Sequence, residues 1–553
     1  MMRATLLAMT FGLLVACQPA KAPAPEVAAG GLTVFTGGTI HTGNPDAPVV
    51  EAVIVDSDGR IVALVPPASA DWSEDEVTRV DLKGAVMFPG FTDSHAHLLG
   101  IGQRELTLNL EGTASIDELV TRTEVELQDK APGEILFGRG WIETGWPDAR
   151  MPSAADLDQV SPDNPVVYVR ADGHALVANT AALKTADIYD LTGDPPGGHV
   201  ERGTDGKATG IVIDNAMAPV FQLLSAPTED DIATALETGA RTYSSRGWTG
   251  VHNMSVGRVE APIMARLDGD GRLPLRIYNA FDERGFDLAE RRAHETDTIT
   301  NRAVKLYMDG ALGSRGALLI APYSDRPETS GLELLDTDSL HNLMMKANEA
   351  DVQLAIHAIG DLANRHILET FEALGYGADA RWRIEHAQIL APEDVARVGT
   401  LGLIASMQPS HAIGDLKFAP DRLGMDRLSG AYAWRDMLAG GAVVAGGSDA
   451  PVEVGSPLIE FYAAVARKDL NGQAGEGWHP EQALSREEAL ALFTSAPAFA
   501  SFQEDRLGTI EIGKIADFTV FDRDLMTVPE ADILDAKPVM TVIGGEIVWR
   551  AAE

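Results

Sequence analysis

Five separate apolar runs in this chain each end at polar side chains able to bind a metal, and that repeated ending constrains the fold more than any other feature. The first run, 86–97, closes on His95 and His97. The others are 303–310 with Lys305 and Asp309, 352–357 with His357, 382–386 with Glu385 and His386, and 442–449 with Asp449. Each reads as a short buried strand, and helix-compatible stretches such as 337–350 and 361–374 lie between them. Strand followed by helix, repeated, means a parallel sheet. Residues i and i+2 of a strand share a face, so the imidazoles of His95 and His97 can aim at one point.

Candidate strands end near residues 93, 253, 280, 308, 357, 386, 407 and 447. Eight such units predict an α/β fold, a TIM (β/α)8 barrel with its site at the carboxyl ends of the strands. The stretch 98–230 is too long for a loop between strands one and two, so it is read as an inserted cap with its own structure, including strand-like runs at 134–138 and 166–170. β-type runs at 31–40, 52–55 and 60–65, and again at 508–521 and 538–548, bracket the barrel. They predict a small β-sandwich built from both chain ends. The expected domains are 31–85 and 505–553 for that sandwich and 86–504 for the barrel.

His95 and His97 on strand one, Lys305 on strand four, His357 on strand five, His386 on strand six and Asp449 on strand eight together resemble the metal-dependent amidohydrolase superfamily, to which urease and dihydroorotase belong. The motifs at 137–141, 172–175, 305–315, 407–412 and 447–453 resemble its amidohydrolase family 3, YtcJ-like branch, over nearly all of the chain after about residue 31. The resemblance implies two divalent ions, with zinc the first expectation and iron or manganese the alternatives, because imidazole and carboxylate ligands suit several metals. It assigns His95, His97 and Asp449 to the first ion and His357 and His386 to the second, with Lys305 carboxylated as the bridge. Read alone, Lys305 could instead pair with Asp309 or Glu385. Such ions would supply a nucleophile at neutral pH, since metal binding lowers the pKa of water from about 15.7 toward about 7. Asp449 would take a proton from the attacking water and pass it to the leaving nitrogen. By itself, an Asp at that place could simply cap the next helix. Glu385 is read either as a partner that orients a ligand or as a strand-end salt bridge.

Substrate contacts are expected from the cap and from loops just beyond the strands. His174, in a turn after a strand, could donate to the developing oxyanion or stand as a surface histidine. Trp141, with Trp146, could line an apolar pocket or belong to a core. Arg315, Gln408 and His411 lie where loop residues can touch a substrate. The expectation is a metal-dependent hydrolase that cleaves a non-peptide carbon–nitrogen bond of a small molecule, in an amide, a formamide or an N-acyl amine. A cyclic amidase or esterase on the same site is the alternative within enzymes. A non-catalytic, lipid-anchored binding protein is the alternative outside them.

The first residues read as a signal peptide, 1–17: Arg3, an apolar stretch at 6–15, and a lipobox at 14–17 that ends on the chain's single cysteine, Cys17. Ten or so apolar residues are too few to span a hydrocarbon core of about 30 Å. Cys17 is the expected site of diacylglycerol attachment, with an ordinary signal peptide as the alternative, and 18–30, rich in Ala and Pro, is the expected tether. An exported protein, lipid-anchored in a bacterial envelope and facing the periplasm or exterior, follows. With no other cysteine the remaining chain forms no internal disulfide. The net charge of −38, from 82 acidic and 44 basic residues, argues against a nucleic-acid partner. Oligomeric state is not set by the sequence.

Overall fold

The structure, a computed structural model, describes residues 31–65, 77–143, 146–148, 150–171, 173, 175–195, 198–224, 227–474 and 478–552. The expected signal peptide 1–17, with Cys17, the tether 18–30 and His174 lie outside the described residues.

Eight parallel strands form the central sheet in chain order: β1 (Phe91–Ala96), β2 (Trp248–Val256), β3 (Arg276–Phe281), β4 (Ile299–Tyr307), β5 (Gln353–Ala358), β6 (Arg383–His386), β7 (Ile404–Met407) and β8 (Val443–Gly446). Their ends fall within a few residues of the predicted ones. All four residues of β6 and of β7 are buried, as expected of strands with packing on both faces. The seam between β8 and β1 is drawn nearly closed just beyond the strands. There the Asp449 amide donates to His95 O at 2.6 Å, and the buried Asp93 carboxylate accepts from Ser448 N at 3.0 Å and Ser448 Oγ at 2.6 Å.

The helix Leu98–Leu106 starts directly after His97 and packs on the helix Glu229–Arg246. The longer helix begins at a capping box of Thr228 and Asp231 and stops at Gly247, whose φ of +102° is open to glycine at no steric cost. The pair approach closely because Gly102 has no side chain: a Cβ there would sit 1.7 Å from Ala235 O. This helix therefore belongs to the barrel layer, although it lies within the predicted insertion. The rest of the insertion forms a separate six-stranded mixed sheet between Leu108 and Asp214.

Both chain ends enter one β unit. Strands Leu32–His41, Val49–Val55, Ile61–Val65, Val77–Asp81 and Val86–Pro89 join Phe518–Phe521, Pro538–Ile543 and Glu546–Arg550 in a single hydrogen-bonded eight-stranded sheet with a shared core of Phe35, Ile40, Met87, Ile510 and Phe518. One boundary differs from the prediction. Val86–Pro89, read as the start of barrel strand one, pairs with both Leu32–His41 and Phe518–Phe521, so the barrel begins after Gly90. Seven of these strands follow one hydrogen-bonded path, and Val77–Asp81 branches from it by pairing with Leu32–His41. Among the described residues no helix is long and apolar enough to cross a membrane.

Candidate active site

The carboxyl ends of β1, β4, β5, β6 and β8 bring the predicted residues to one mouth. His95 is fully buried, and its Nε2 lies 3.4 Å from Asp449 Oδ1 and 3.4 Å from Lys305 Nζ. His97 Nε2 is 3.1 Å from the same carboxylate oxygen, while its Nδ1 meets Met254 O at 3.1 Å. His95, His97 and Asp449 thus form one set of converging donor atoms; His386, His411 and Asp449 form a second. Asp449 and His386 both take left-handed backbone, with φ of +58° and +73°, an uncommon conformation for such residues that is found disproportionately at functional sites.

Each imidazole is oriented from behind. His95 Nδ1 faces Glu385 Oε2 at 2.6 Å, and His386 Nδ1 donates to Gln408 Oε1 at 2.8 Å, which leaves both Nε2 atoms turned to the mouth. Burial, with Lys305 beside it, pushes the His95 imidazole down to about 4. Burial and the neighbouring His357 and His95 push His386 well below its ordinary range. Both rings are therefore neutral at pH 7, the state a metal requires. Burial raises the Asp449 carboxyl, but His95 and the hydrogen bond from His97 outweigh it and hold the group well below the usual carboxylate range.

The donor set fits a divalent ion. His357 Nε2 and His411 Nε2 are buried with no hydrogen-bond partner among the described residues, a costly state that ligation would relieve. His357 stands against His386 with ring centroids 4.5 Å apart, and its Nε2 is 3.4 Å from Asp309 Oδ1. Lys305 is buried and forms no ion pair with Asp309 or Glu385 among the described residues. Asp309 instead accepts the amides of Leu318, Ile359 and Gly360, and Glu385 is shared by His95 and Arg383. Glu385 is thus an orienting partner of His95, on strand one, rather than of its neighbour His386.

The predicted substrate contacts separate. His411 is at the mouth, with Nε2 3.7 Å from Asp449 Oδ2 and 3.8 Å from Glu453 Oε1. Gln408 is spent on His386. Arg315 is ion-paired with Asp325 at 2.7 Å, and Asp325 also holds Arg422, so this guanidinium has a structural partner already. Trp141 needs correction as a substrate contact: it is fully buried in a core with Trp146, Leu157 and Tyr168, and its indole N–H donates to Tyr168 O at 3.0 Å. That leaves it no ring face for a ligand.

Three residues at the site escaped the sequence reading. Asp93 ties β1 to the turn after β8. Arg383 lies two residues before Glu385 on the same strand face and pairs with it, a relation that the i, i+2 spacing of opposite charges in a buried strand could have signalled. Tyr307 follows Lys305 by the same spacing.

A parallel eight-stranded barrel with this histidine, aspartate and lysine set at its mouth is the architecture of a metal-dependent hydrolase. The chain belongs to the amidohydrolase family, whose profile matches residues 78–549, and it is a hydrolase of that family. It is 33% identical over 525 residues to YtcJ of Bacillus subtilis (strain 168), which carries the name of an amidohydrolase; the match covers 94% of this chain and 99% of YtcJ. The N-substituted formamide deformylase of Arthrobacter pascens is 28% identical over 495 residues, covering 85% of this chain and 90% of that protein. Among solved structures, an uncharacterised metal-dependent hydrolase from Pyrococcus horikoshii OT3 superposes with a TM-score of 0.74 at 28% identity, covering 90% of this chain and 99% of that one.

Proposed function

We propose that this chain hydrolyses a non-peptide carbon–nitrogen bond in a small molecule, with an N-substituted formamide or N-acyl amine as substrate. The observation that carries the reading is Asp449, one carboxylate belonging to both candidate donor sets and held ionised by His95 and His97. The similarity to a formamide deformylase supports the substrate class.

His95, His97 and Asp449 would hold one divalent ion and His386, with His357 or His411, a second; zinc is our first choice. Bound there, such ions supply Lewis acidity and lower the pKa of water. The buried Lys305 Nζ, with no ion pair among the described residues, suits carboxylation, which turns a poor ligand into an anionic one. Asp449 accepts a proton from the attacking water through a carboxylate oxygen and returns it to the leaving nitrogen, so the amine departs neutral. Glu385 and Gln408 keep His95 and His386 in the tautomer that presents Nε2 to the mouth. His174 is proposed as an oxyanion donor on its sequence position alone. We also propose export and lipid attachment at Cys17, on the strength of the lipobox, tested by whether Cys17→Ser moves the protein from the membrane to the soluble fraction.

The test of the function is hydrolysis of a panel of N-substituted formamides, N-acyl amines, cyclic amides and esters by wild type and Asp449→Asn. Amine release by the wild type and its loss by at least about 1,000-fold in the variant are expected, since general acid–base work is worth about 100- to 10,000-fold. Activity that survives the substitution would remove Asp449 from its role, and turnover of the esters or cyclic amides alone would replace the substrate class.

A further inference from the structure

Beside Lys305 the structure has a cavity of about 370 Å³, lined also by Tyr307, Leu334, Leu335 and the segment 282–284. That volume lies in the range of small-molecule sites. Tyr307 and Leu334 are 41% and 58% exposed, although both are large and apolar.

The Tyr307 side chain is held by three contacts. The Tyr307 ring lies over Lys305 Nζ, 4.6 Å from its centroid, and against the His357 ring at 5.4 Å. Its hydroxyl meets Ser255 Oγ at 2.5 Å, and Ser255 holds a left-handed backbone with φ +59° at the end of β2. Tyr307 therefore bridges from β4 to β2 past the end of β3. The main chain at Leu334 is held by its amide, which donates to Met308 O at 2.9 Å. The buried Asp309 carboxylate accepts the Leu318 amide from the loop between Tyr307 and Leu334 and the Ile359 and Gly360 amides that follow β5, which ties the loop to that strand end. At the charged part of the lining, Arg284 is ion-paired with Asp282 at 2.7 Å. The cavity offers a ligand an aromatic ring and three leucines, Leu306, Leu334 and Leu335, next to Lys305 and the charged segment 282–284, with Tyr307 and Leu334 left uncovered by the described residues. Apolar side chains beside a few polar groups in a concavity of this size are the usual lining of a small-molecule site.

We infer that the cavity is a subsite for an alkyl or aryl substituent adjoining the scissile carbon–nitrogen bond, with Tyr307 and Leu334 as its specificity-determining walls. This rests on the hydrolase reading above. Each methylene buried there is worth about 0.8 kcal/mol, or about fourfold in affinity.

Titration calorimetry on the purified, metal-loaded protein tests it with two series of product-like ligands: primary amines from methylamine to hexylamine, and carboxylates from formate to hexanoate. One series should gain about fourfold per methylene over its first few members, and the series that gains tells which side of the bond the subsite serves. Leu334→Asp and Tyr307→Ala should flatten that gain, whereas Tyr307→Phe, which keeps the ring, should retain it. Leu334 is exposed, so its substitution leaves the core intact. Affinity independent of chain length in both series, or an unchanged gain in Leu334→Asp and Tyr307→Ala, would overturn the subsite. Turnover measured in parallel separates the two claims: a steep gain without hydrolysis sinks the enzyme reading alone, and hydrolysis with no gain sinks the subsite alone.

Discussion

His95 Nδ1 and Glu385 Oε2 meet at 2.6 Å inside the barrel, where neither residue is exposed. Behind them Arg383 Nε lies 2.8 Å from Glu385 Oε1, and the same guanidinium donates to Ser94 O at 2.5 Å, Ser406 Oγ at 2.8 Å and His252 Nδ1 at 2.6 Å. Burial alone would raise the Glu385 carboxyl, but Arg383 and His95 hold it well below the usual carboxylate range. A charged glutamate keeps the proton of His95 on Nδ1, so Nε2 presents its lone pair to the mouth.

Glu385→Gln should therefore weaken divalent metal binding by about 10- to 100-fold, the usual effect of removing a residue that orients a ligand. Competition against a chelating indicator would measure this. Unchanged affinity would mean that strand packing alone fixes His95.

Gln408 was expected to touch substrate, yet it accepts the His386 Nδ1 hydrogen. Gln408→Leu should lower metal affinity and kcat together, because the ring of His386 loses its restraint. A rise in KM at constant kcat and constant metal content would restore the substrate-contact role.

Gly102→Ala should destabilise the barrel by about 1–3 kcal/mol or more, the range for forcing extra volume into a packed interface. The added Cβ would meet the backbone of Ala235, which has no rotamer by which to yield. A denaturant titration gives the change; a neutral result would mean that the two helices have room to separate.

Asp415 predicts a pH dependence. Burial pushes its carboxyl from 3.8 up to about 7, against hydrogen bonds from Tyr432 and Gln388. A raised folded-state pKa means that the folded chain holds this proton more tightly than the unfolded chain. The stabilisation is complete below pH 3.8 and is lost as pH rises through about 7. Asp415→Asn should thus gain stability relative to wild type as pH rises across that window. Melting curves of both proteins at several pH values would show it, and a difference that does not change with pH would refute it.

The ends of the barrel strands were legible because each is a local event: an apolar run of strand length that stops at a polar residue. Lys305, His357, His386 and Asp449 inherit their placement from those ends, and so were legible as a set. Pairing between distant segments was not. Val86–Pro89, which joins the terminal sheet, and Phe91–Ala96, which opens the barrel, are parted only by Gly90, and no local signal says that the chain changes sheets there. Trp141 shows the same limit, since an aromatic residue reads alike in a pocket or a core until its neighbours are known. The Tyr307 contact with Ser255 depends on a kinked residue 52 positions away in sequence, which no periodicity reports.

The central claim is a divalent metal site built from the strand ends, and metal content per chain tests it most directly. Elemental analysis of the purified protein should find two equivalents of a divalent ion in wild type and a sharp fall in Lys305→Ala, with circular dichroism showing the same fold in both. A wild-type protein that holds no divalent metal after purification and incubation with zinc, iron or manganese would contradict the account.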